Sequence, residues 1–149
     1  MCFSAIAVAN TILDMAAKKE INDITPMKLQ KLVFLAHALY YKQSGNKLIT
    51  DPVEKWKYGP VIYDVYREFR GFGSAPITSY AQNADGSTDI VPLSREDVYD
   101  FLSKILTVFG YTSAWRLSEL THLTGTAWDI ASGAYITDEN ILEGDIFSD

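Results

Sequence analysis

The segment from Thr25 to Gly45 constrains the fold most, because its sequence marks both ends of a long helix. Thr25 supplies a hydroxyl cap, and Pro26 stands at the first helical position, where a missing N–H costs no hydrogen bond. Gly45 directly follows Ser44 and supplies the left-handed residue with which helices commonly end. We therefore predict a helix from Pro26 to about Ser44.

This predicted helix is apolar on two nearly opposite sides. A helix of this kind is either the centre of a bundle or an element with one side reserved for another protein. The sequence leaves both interpretations open. One stripe comprises Leu29, Leu32, Val33, Ala36 and Tyr40, and the other comprises Phe34, Ala38 and Tyr41.

Similar start and stop signals predict further helices before and after this segment. They are hydroxyl caps, boxes of the Ser/Thr-x-x-Asp type, and glycines behind apolar residues at helical spacing. The caps are Ser4, Ser94 with Asp97, Thr112-Ser113, Thr126 with Asp129, and Ile136-Thr137 before Ile141; the predicted stops include Gly71, Gly110 and Gly133.

A minor β element is expected in the middle of the chain. Residues 53–58 alternate as in a short strand, which places Glu54, Trp56 and Tyr58 on one side and Val53, Lys55 and Lys57 on the other. Gly59-Pro60 is predicted to open the next helix. Residues 76–82 and 87–91 flank a turn and suggest a small hairpin. The predicted fold is mainly α, a bundle of about six helices with a small hairpin or sheet on its flank.

Length and charge limit the class of protein. A chain of 149 residues is one ordinary domain, so we predict a single domain over residues 1–149. Residues 1–84 carry ten basic and seven acidic side chains, whereas residues 85–149 carry three and twelve. An acidic whole disfavours general nucleic-acid binding. The absence of a long apolar run and of a signal peptide, with one cysteine, Cys2, predicts a cytoplasmic protein that does not enter a membrane.

The sequence offers no catalytic or metal-binding constellation. His37 and His122 fall on different predicted helices, and neither has ligands at the spacing of a zinc site. Residues 71–74 (Gly-Phe-Gly-Ser) follow a helix, which is the wrong order for a phosphate loop. We therefore expect no enzymatic activity, no metal and no cofactor.

Aromatic and basic residues around the predicted strand indicate a protein-binding surface. Tryptophan and tyrosine bury a large area at low entropic cost and dominate interface hot spots. The alternative is that Trp56 only packs the sheet against the helices. The predicted contact residues are Lys55, Trp56, Lys57, Tyr58 and Tyr63, together with Phe34 and Tyr41 on the second side of the long helix.

Three sequence blocks together resemble one known family, the Panacea antitoxin domain, which includes SocA-type antitoxins and phage-associated relatives. The blocks are residues 25–34 (Thr-Pro-Met-Lys-Leu-Gln-Lys-Leu-Val-Phe), residues 56–61 (Trp-Lys-Tyr-Gly-Pro-Val) and residues 113–122 (Ser-Ala-Trp-Arg-Leu-Ser-Glu-Leu-Thr-His) with Trp128 following. The motif positions are Lys28, Gln30, Lys31, Trp56, Tyr58, Gly59, Pro60, Leu117, Leu120, His122 and Trp128.

The resemblance implies a non-enzymatic, mostly helical module that binds and neutralises a co-encoded protein toxin. It leaves two alternatives, a proteolytic adaptor that delivers the toxin to a Clp protease and a DNA-binding regulator of the toxin–antitoxin operon. The resemblance implies no catalytic residue, and it does not fix the oligomeric state.

Overall fold

The structure, a computed structural model, describes residues 2–148. That part of the chain forms seven α-helices, a single 3-10 turn and a small antiparallel sheet, which confirms the predicted fold class. The elements in chain order are α1 (Ala5–Lys18), α2 (Pro26–Ser44), β1 (Val53–Trp56), β2 (Gly59–Val61), α3 (Tyr63–Phe69), the 3-10 turn (Arg70–Phe72), α4 (Glu96–Phe109), α5 (Ala114–Thr121), α6 (Ala127–Ile130), β3 (Tyr135–Ile136) and α7 (Asp138–Glu143).

Helix α2 is the central element of the bundle. It contacts α1, α3, α4, α5 and α7 as well as β2. Every residue from Lys28 to Ala38 is buried, so both apolar sides of the helix face the core. Of the two interpretations left open by the sequence, the structure selects the bundle centre for this stretch. Burial of a helix on all sides is what an apolar pattern without one dominant face predicts.

Hydroxyl caps begin most of the helices, as the sequence predicts. A side-chain oxygen accepts a hydrogen bond from a backbone N–H in the first turn, which satisfies a donor that the helix itself leaves without a partner. At α7 the cap is reciprocal, because Asn140 also accepts from the backbone N–H of Thr137. The capping residues observed are Ser4, Thr25, Ser113, Thr126 and Thr137.

The prediction that Gly59-Pro60 opens a helix is wrong. These residues form β2, which pairs antiparallel with β1 across a two-residue turn at 57–58. Gly59 has φ +119°, a conformation open to glycine but strained for other residues, and it lets the chain reverse directly after Tyr58. Helix α3 begins only at Tyr63. The sheet has the order β2-β1-β3, so β2 lies at one edge, where a proline is tolerated.

The hairpin predicted over residues 76–91 is also wrong, although its turn exists. Asn83 N–H donates to Ser87 O at 2.8 Å, but no strand flanks this turn. Instead, the side chain of Asn10 on α1 binds the backbone of Ala81 and Asp89 at 3.0 Å each. A buried helix side chain thus supplies the hydrogen bonds that a strand partner would otherwise provide.

The predicted cap of α4 by Ser94 and Asp97 does not form. Arg95 occupies the cap position and no side chain caps the helix. The Asp97 carboxylate accepts two hydrogen bonds from the Arg95 guanidinium, at 3.0 and 2.9 Å. The carboxylate that was expected to take part in the cap is therefore bound to Arg95 instead. Within residues 2–148, none of the helices is both long and apolar enough to cross a bilayer.

Candidate protein-binding surface

The β1–β2 hairpin is held to the bundle through its backbone carbonyl groups. Trp128 on α6 donates its indole N–H to Trp56 O at 2.7 Å, and the Ser118 hydroxyl on α5 donates to Tyr58 O. Both donors come from the third sequence block of the family resemblance. The carbonyl groups of Trp56, directly before the turn, and of Tyr58, its second residue, are therefore fixed by two different helices.

Helix α2 holds the second strand in the same way. The Lys31 ammonium donates to Pro60 O at 2.9 Å. The Gln30 amide donates to Ile62 O and accepts from Ile62 N–H, both at 2.9 Å. Alternate carbonyl groups of the hairpin, those of Trp56, Tyr58, Pro60 and Ile62, are thus held by side chains from three helices. This arrangement gives the three motif blocks a common structural purpose.

Gly59 is the point of closest approach between the hairpin and the helices. A Cβ atom there would lie 3.3 Å from both Lys31 Nζ and Thr121 Oγ1, in addition to the strain of φ +119°. The motif glycine is therefore required by both its backbone conformation and its surroundings. The family motif at this position is structural.

One line of aromatic rings runs from the hairpin onto α3. The rings of Trp56 and Tyr66 meet edge to face with centroids 4.9 Å apart, and Tyr63 lies 6.2 Å beyond Tyr66. The Arg70 guanidinium stands 5.9 Å from the Tyr66 ring centroid. The Trp56 indole also donates to Glu54 Oε1 at 3.0 Å, so its orientation is fixed from both sides. Trp56 is half-buried: it packs on α3 and still reaches the surface.

A second aromatic pair stands at the tip of the hairpin. Tyr58 is 49% exposed, and its ring centroid lies 6.0 Å from that of Trp115, which is 63% exposed. Lys57 places its ammonium 5.4 Å from the Tyr58 ring. Trp115 is not among the contact residues that the sequence predicts. Its spacing from the cap Ser113 puts it in the first turn of α5, but only the tertiary structure brings it beside the hairpin.

Between the hairpin, α2 and α3 lies a groove of about 560 Å³. We call it the hairpin groove. Apolar and aromatic side chains make up most of its walls, and three basic side chains stand among them. Its lining residues are Pro26, Met27, Gln30, Lys31, Trp56, Lys57, Tyr58, Val61, Tyr66, Arg70 and Gly73.

Three of the seven predicted contact residues lie elsewhere. Phe34 is fully buried in the core, so its inclusion in a contact surface of the folded chain is wrong. Tyr41 is half-buried and stacks on His37 with ring centroids 6.3 Å apart. Lys55 points to the opposite face of β1, where its ammonium donates to Ala131 O at 2.8 Å and lies 4.7 Å from the Trp128 ring centroid. Of the other four, Trp56, Lys57 and Tyr58 line the hairpin groove, and Tyr63 is connected to Trp56 through the ring of Tyr66.

Both histidines have structural partners. His37 Nδ1 accepts a hydrogen bond from Ile49 N–H at 3.3 Å, and burial lowers the pKa of His37 to about 4, with the Lys47 ammonium contributing. His122 packs edge to face on Trp128 with centroids 5.2 Å apart, and its Nδ1 contacts Ser118 O. Across residues 2–148, histidine, cysteine and acidic side chains nowhere gather in groups of three or more that could hold a metal ion.

The fold and this surface define a class, a small helical domain that presents rigidly held aromatic side chains of the kind found at protein interfaces. The profile of the SocA-like antitoxin Panacea domain matches residues 29–129, and the chain belongs to that family. It is similar to antitoxin SocA of Caulobacter vibrioides (strain NA1000 / CB15N), with 36% identity over 130 residues that cover 85% of this chain and 69% of that protein. No solved structure matches the chain.

Proposed function

We propose that this protein is a cytoplasmic, non-enzymatic antitoxin that neutralises a co-encoded protein toxin by direct contact. Membership in a family of antitoxins supports the general role. The single observation that carries the direct contact is the aromatic surface on the hairpin and its neighbours. It comprises Trp56, Tyr58, Tyr63 and Trp115, with Lys57 beside Tyr58.

This surface can bind a partner tightly at a low cost in conformational entropy. The hairpin backbone is fixed by hydrogen bonds from three helices, so little conformational entropy is lost when a partner binds. Tyr58 and Trp115 are exposed and offer large rings with polar edges. A stable complex is expected to bury about 1,200–2,000 Å² in total, so the contact extends beyond these rings.

Co-expression with the product of the neighbouring gene tests neutralisation. We expect the neighbour to be toxic alone and harmless together with this protein, and the two to co-purify. A neighbour that stays lethal in the presence of this protein would rule the proposal out. Rescue that disappears in cells without a Clp protease would favour the proteolytic adaptor instead.

The contact surface is tested by Trp56→Ala and Tyr58→Ala, with circular dichroism and toxin affinity measured together. Each substitution should cost about 2 kcal/mol or more of binding free energy if the ring is an anchor. Tyr80→Ala is the matched control, because Tyr80 is similarly exposed but lies on the 76–91 segment, where it bonds Asp14 of α1. Two folded variants that bind as tightly as the parent would remove this surface from the interface.

A further inference from the structure

The hairpin groove differs in charge from the protein as a whole. The chain has a formal net charge of −6, yet among residues 2–148 the groove is lined by Lys31, Lys57 and Arg70 and by no aspartate or glutamate. The walls between these cations are apolar or aromatic, with Met27 and Val61 among them. A ligand complementary to this groove carries negative charge together with apolar side chains.

Lys31 is the most unusual of the three cations. It is only 3% exposed, and within the described part of the chain its ammonium makes one hydrogen bond, to Pro60 O. No carboxylate of residues 2–148 forms an ion pair with it, in contrast to Lys28, which is also buried but pairs with Asp23 at 2.9 Å. An ammonium can donate three hydrogen bonds, so Lys31 retains donor capacity at the base of the groove.

The electrostatic cost of burying the Lys31 ammonium indicates which kind of ligand group would offset it. Burial lowers the pKa of Lys31 to about 8, so the side chain is still mostly charged near pH 7. A buried charge without a counter-ion is costly, and a carboxylate placed beside it offsets that cost. The binding of an acidic group at Lys31 would therefore gain more than the same contact at an exposed lysine.

We propose that the hairpin groove binds a segment of the toxin that presents a carboxylate to Lys31 and an apolar side chain to Trp56 and Tyr66. Lys57 and Arg70, at the exposed rim, attract further acidic groups of the same segment. This inference rests on the proposed function, since it names the part of the toxin that the antitoxin recognises.

Single-stranded nucleic acid is the other polyanion that could use cations and aromatic rings together. The net charge of −6 opposes the approach of such a polyanion. A short single-stranded RNA is therefore included below as a competing probe.

The decisive variants reverse charge at the rim, where folding is least disturbed. Lys57→Glu with Arg70→Glu is compared with Lys19→Glu with Lys104→Glu, an equal change of net charge at exposed lysines outside the groove. Toxin affinity of the groove pair should fall at least about tenfold, and the control pair should bind like the parent. Parent binding should also weaken as NaCl is raised from about 0.05 to 0.5 M.

Two further variants examine the groove itself. Met27→Trp fills it, and Lys31→Met removes the buried ammonium while keeping the length of its stem. Both should lower toxin affinity at least about tenfold, and circular dichroism identifies any variant that fails to fold. If Lys31→Met does not fold, the rim pair and Met27→Trp carry the test.

Short overlapping peptides from the toxin identify the bound segment. We expect an acidic, apolar peptide to compete with the toxin, and its Asn/Gln counterpart to compete at least about tenfold less well. Folded groove variants that bind the toxin as tightly as the parent would show that the groove is not the binding site and would leave the proposed function standing. A parent that does not bind the toxin would overturn the proposed function first. Displacement of the toxin by the RNA probe at lower concentration than by any peptide would also contradict this inference.

Discussion

The indole N–H of Trp128 donates a 2.7 Å hydrogen bond to the backbone carbonyl of Trp56, joining α6 to the strand that carries the candidate contact residues. The two tryptophans are separated by more than seventy residues in sequence. The backbone of Trp56 is thereby held by α6, and its side chain lines the hairpin groove. One tryptophan positions the other.

Removing this bond while keeping an aromatic ring should destabilise the fold. Trp128→Phe deletes the donor and leaves a half-buried carbonyl without it, so we expect a loss of about 1–2 kcal/mol in the free energy of unfolding by urea. Trp115→Phe is the matched control, because Trp115 is 63% exposed and should change stability by less than about 0.5 kcal/mol. Equal stability of the two variants would show that the bond contributes nothing to the fold.

Gly59 should not tolerate alanine. Gly59→Ala combines a strained φ of +119° with a Cβ 3.3 Å from Lys31 Nζ and Thr121 Oγ1. We expect thermal or urea unfolding to show a loss of about 2 kcal/mol or more. Gly133→Ala serves as the control, since a Cβ at Gly133 meets nothing within 4 Å and its φ is not in the left-handed region. A Gly59→Ala variant as stable as Gly133→Ala would contradict the close approach described here.

The neighbouring lysines Lys55 and Lys57 should behave differently. Lys55→Ala removes an ammonium that bonds Ala131 O and faces the Trp128 ring, so we expect about 1 kcal/mol of lost stability. Lys57 is exposed, so Lys57→Ala should leave stability unchanged and should mainly slow association with the toxin at low salt. Urea unfolding and stopped-flow binding separate the two effects. The reverse pattern, an unstable Lys57→Ala and a stable Lys55→Ala, would contradict the contacts described for these two lysines.

The lowered pKa of His37 leads us to expect a loss of stability in mild acid. Its pKa is lowered from 6.5 to about 4, because burial and the Lys47 ammonium disfavour the charged ring more than Asp138 favours it. Between these values the unfolded chain binds a proton that the folded chain does not. The free energy of unfolding should therefore fall by up to about 3 kcal/mol as the pH drops through this window.

The matched variant is His37→Asn, whose amide oxygen can accept the Ile49 N–H but does not titrate. Urea unfolding of both proteins at pH 7 and about pH 4.5 isolates this contribution from that of the carboxylates. We expect the parent to lose more stability than the variant. Equal losses would show that His37 does not carry the acid sensitivity.

Local signals in the sequence predict most of the helices, and they fail where distant side chains intervene. The caps at Thr25, Ser113 and Thr137 depend on atoms within one turn, so residue order alone identifies them. The segment 76–91 has a strand-like composition, but Asn10 of α1 binds its backbone and no strand forms. The partner of β1 on its other side, β3, lies about eighty residues further along the chain and has only two residues.

The sequence predicts only part of the candidate surface, again because residues distant in sequence complete it. Strand alternation predicts Trp56 and Lys55 on opposite faces of β1, in agreement with the hydrogen bonds of Trp56 to Glu54 and of Lys55 to Ala131. It does not hold for Lys57, which lies in the turn after β1 and lines the hairpin groove beside Trp56. Trp115 and Tyr66 were not predicted to belong to it, because α3 and α5 reach the hairpin only through the packing around α2. Helical periodicity could not decide whether Phe34 faces a partner or the core, since either would make that side apolar.

The hydrogen bonds that anchor β2 also exclude one mode of partner binding, the addition of a strand at this edge of the sheet. An edge strand usually exposes N–H and C=O groups that can pair with a strand of another chain. Here Pro60 has no N–H, its carbonyl is occupied by Lys31, and both backbone groups of Ile62 are occupied by Gln30. This edge is closed to strand addition and to the edge-to-edge pairing that begins β-aggregation. A partner at this edge must therefore be recognised through side chains rather than through a shared sheet.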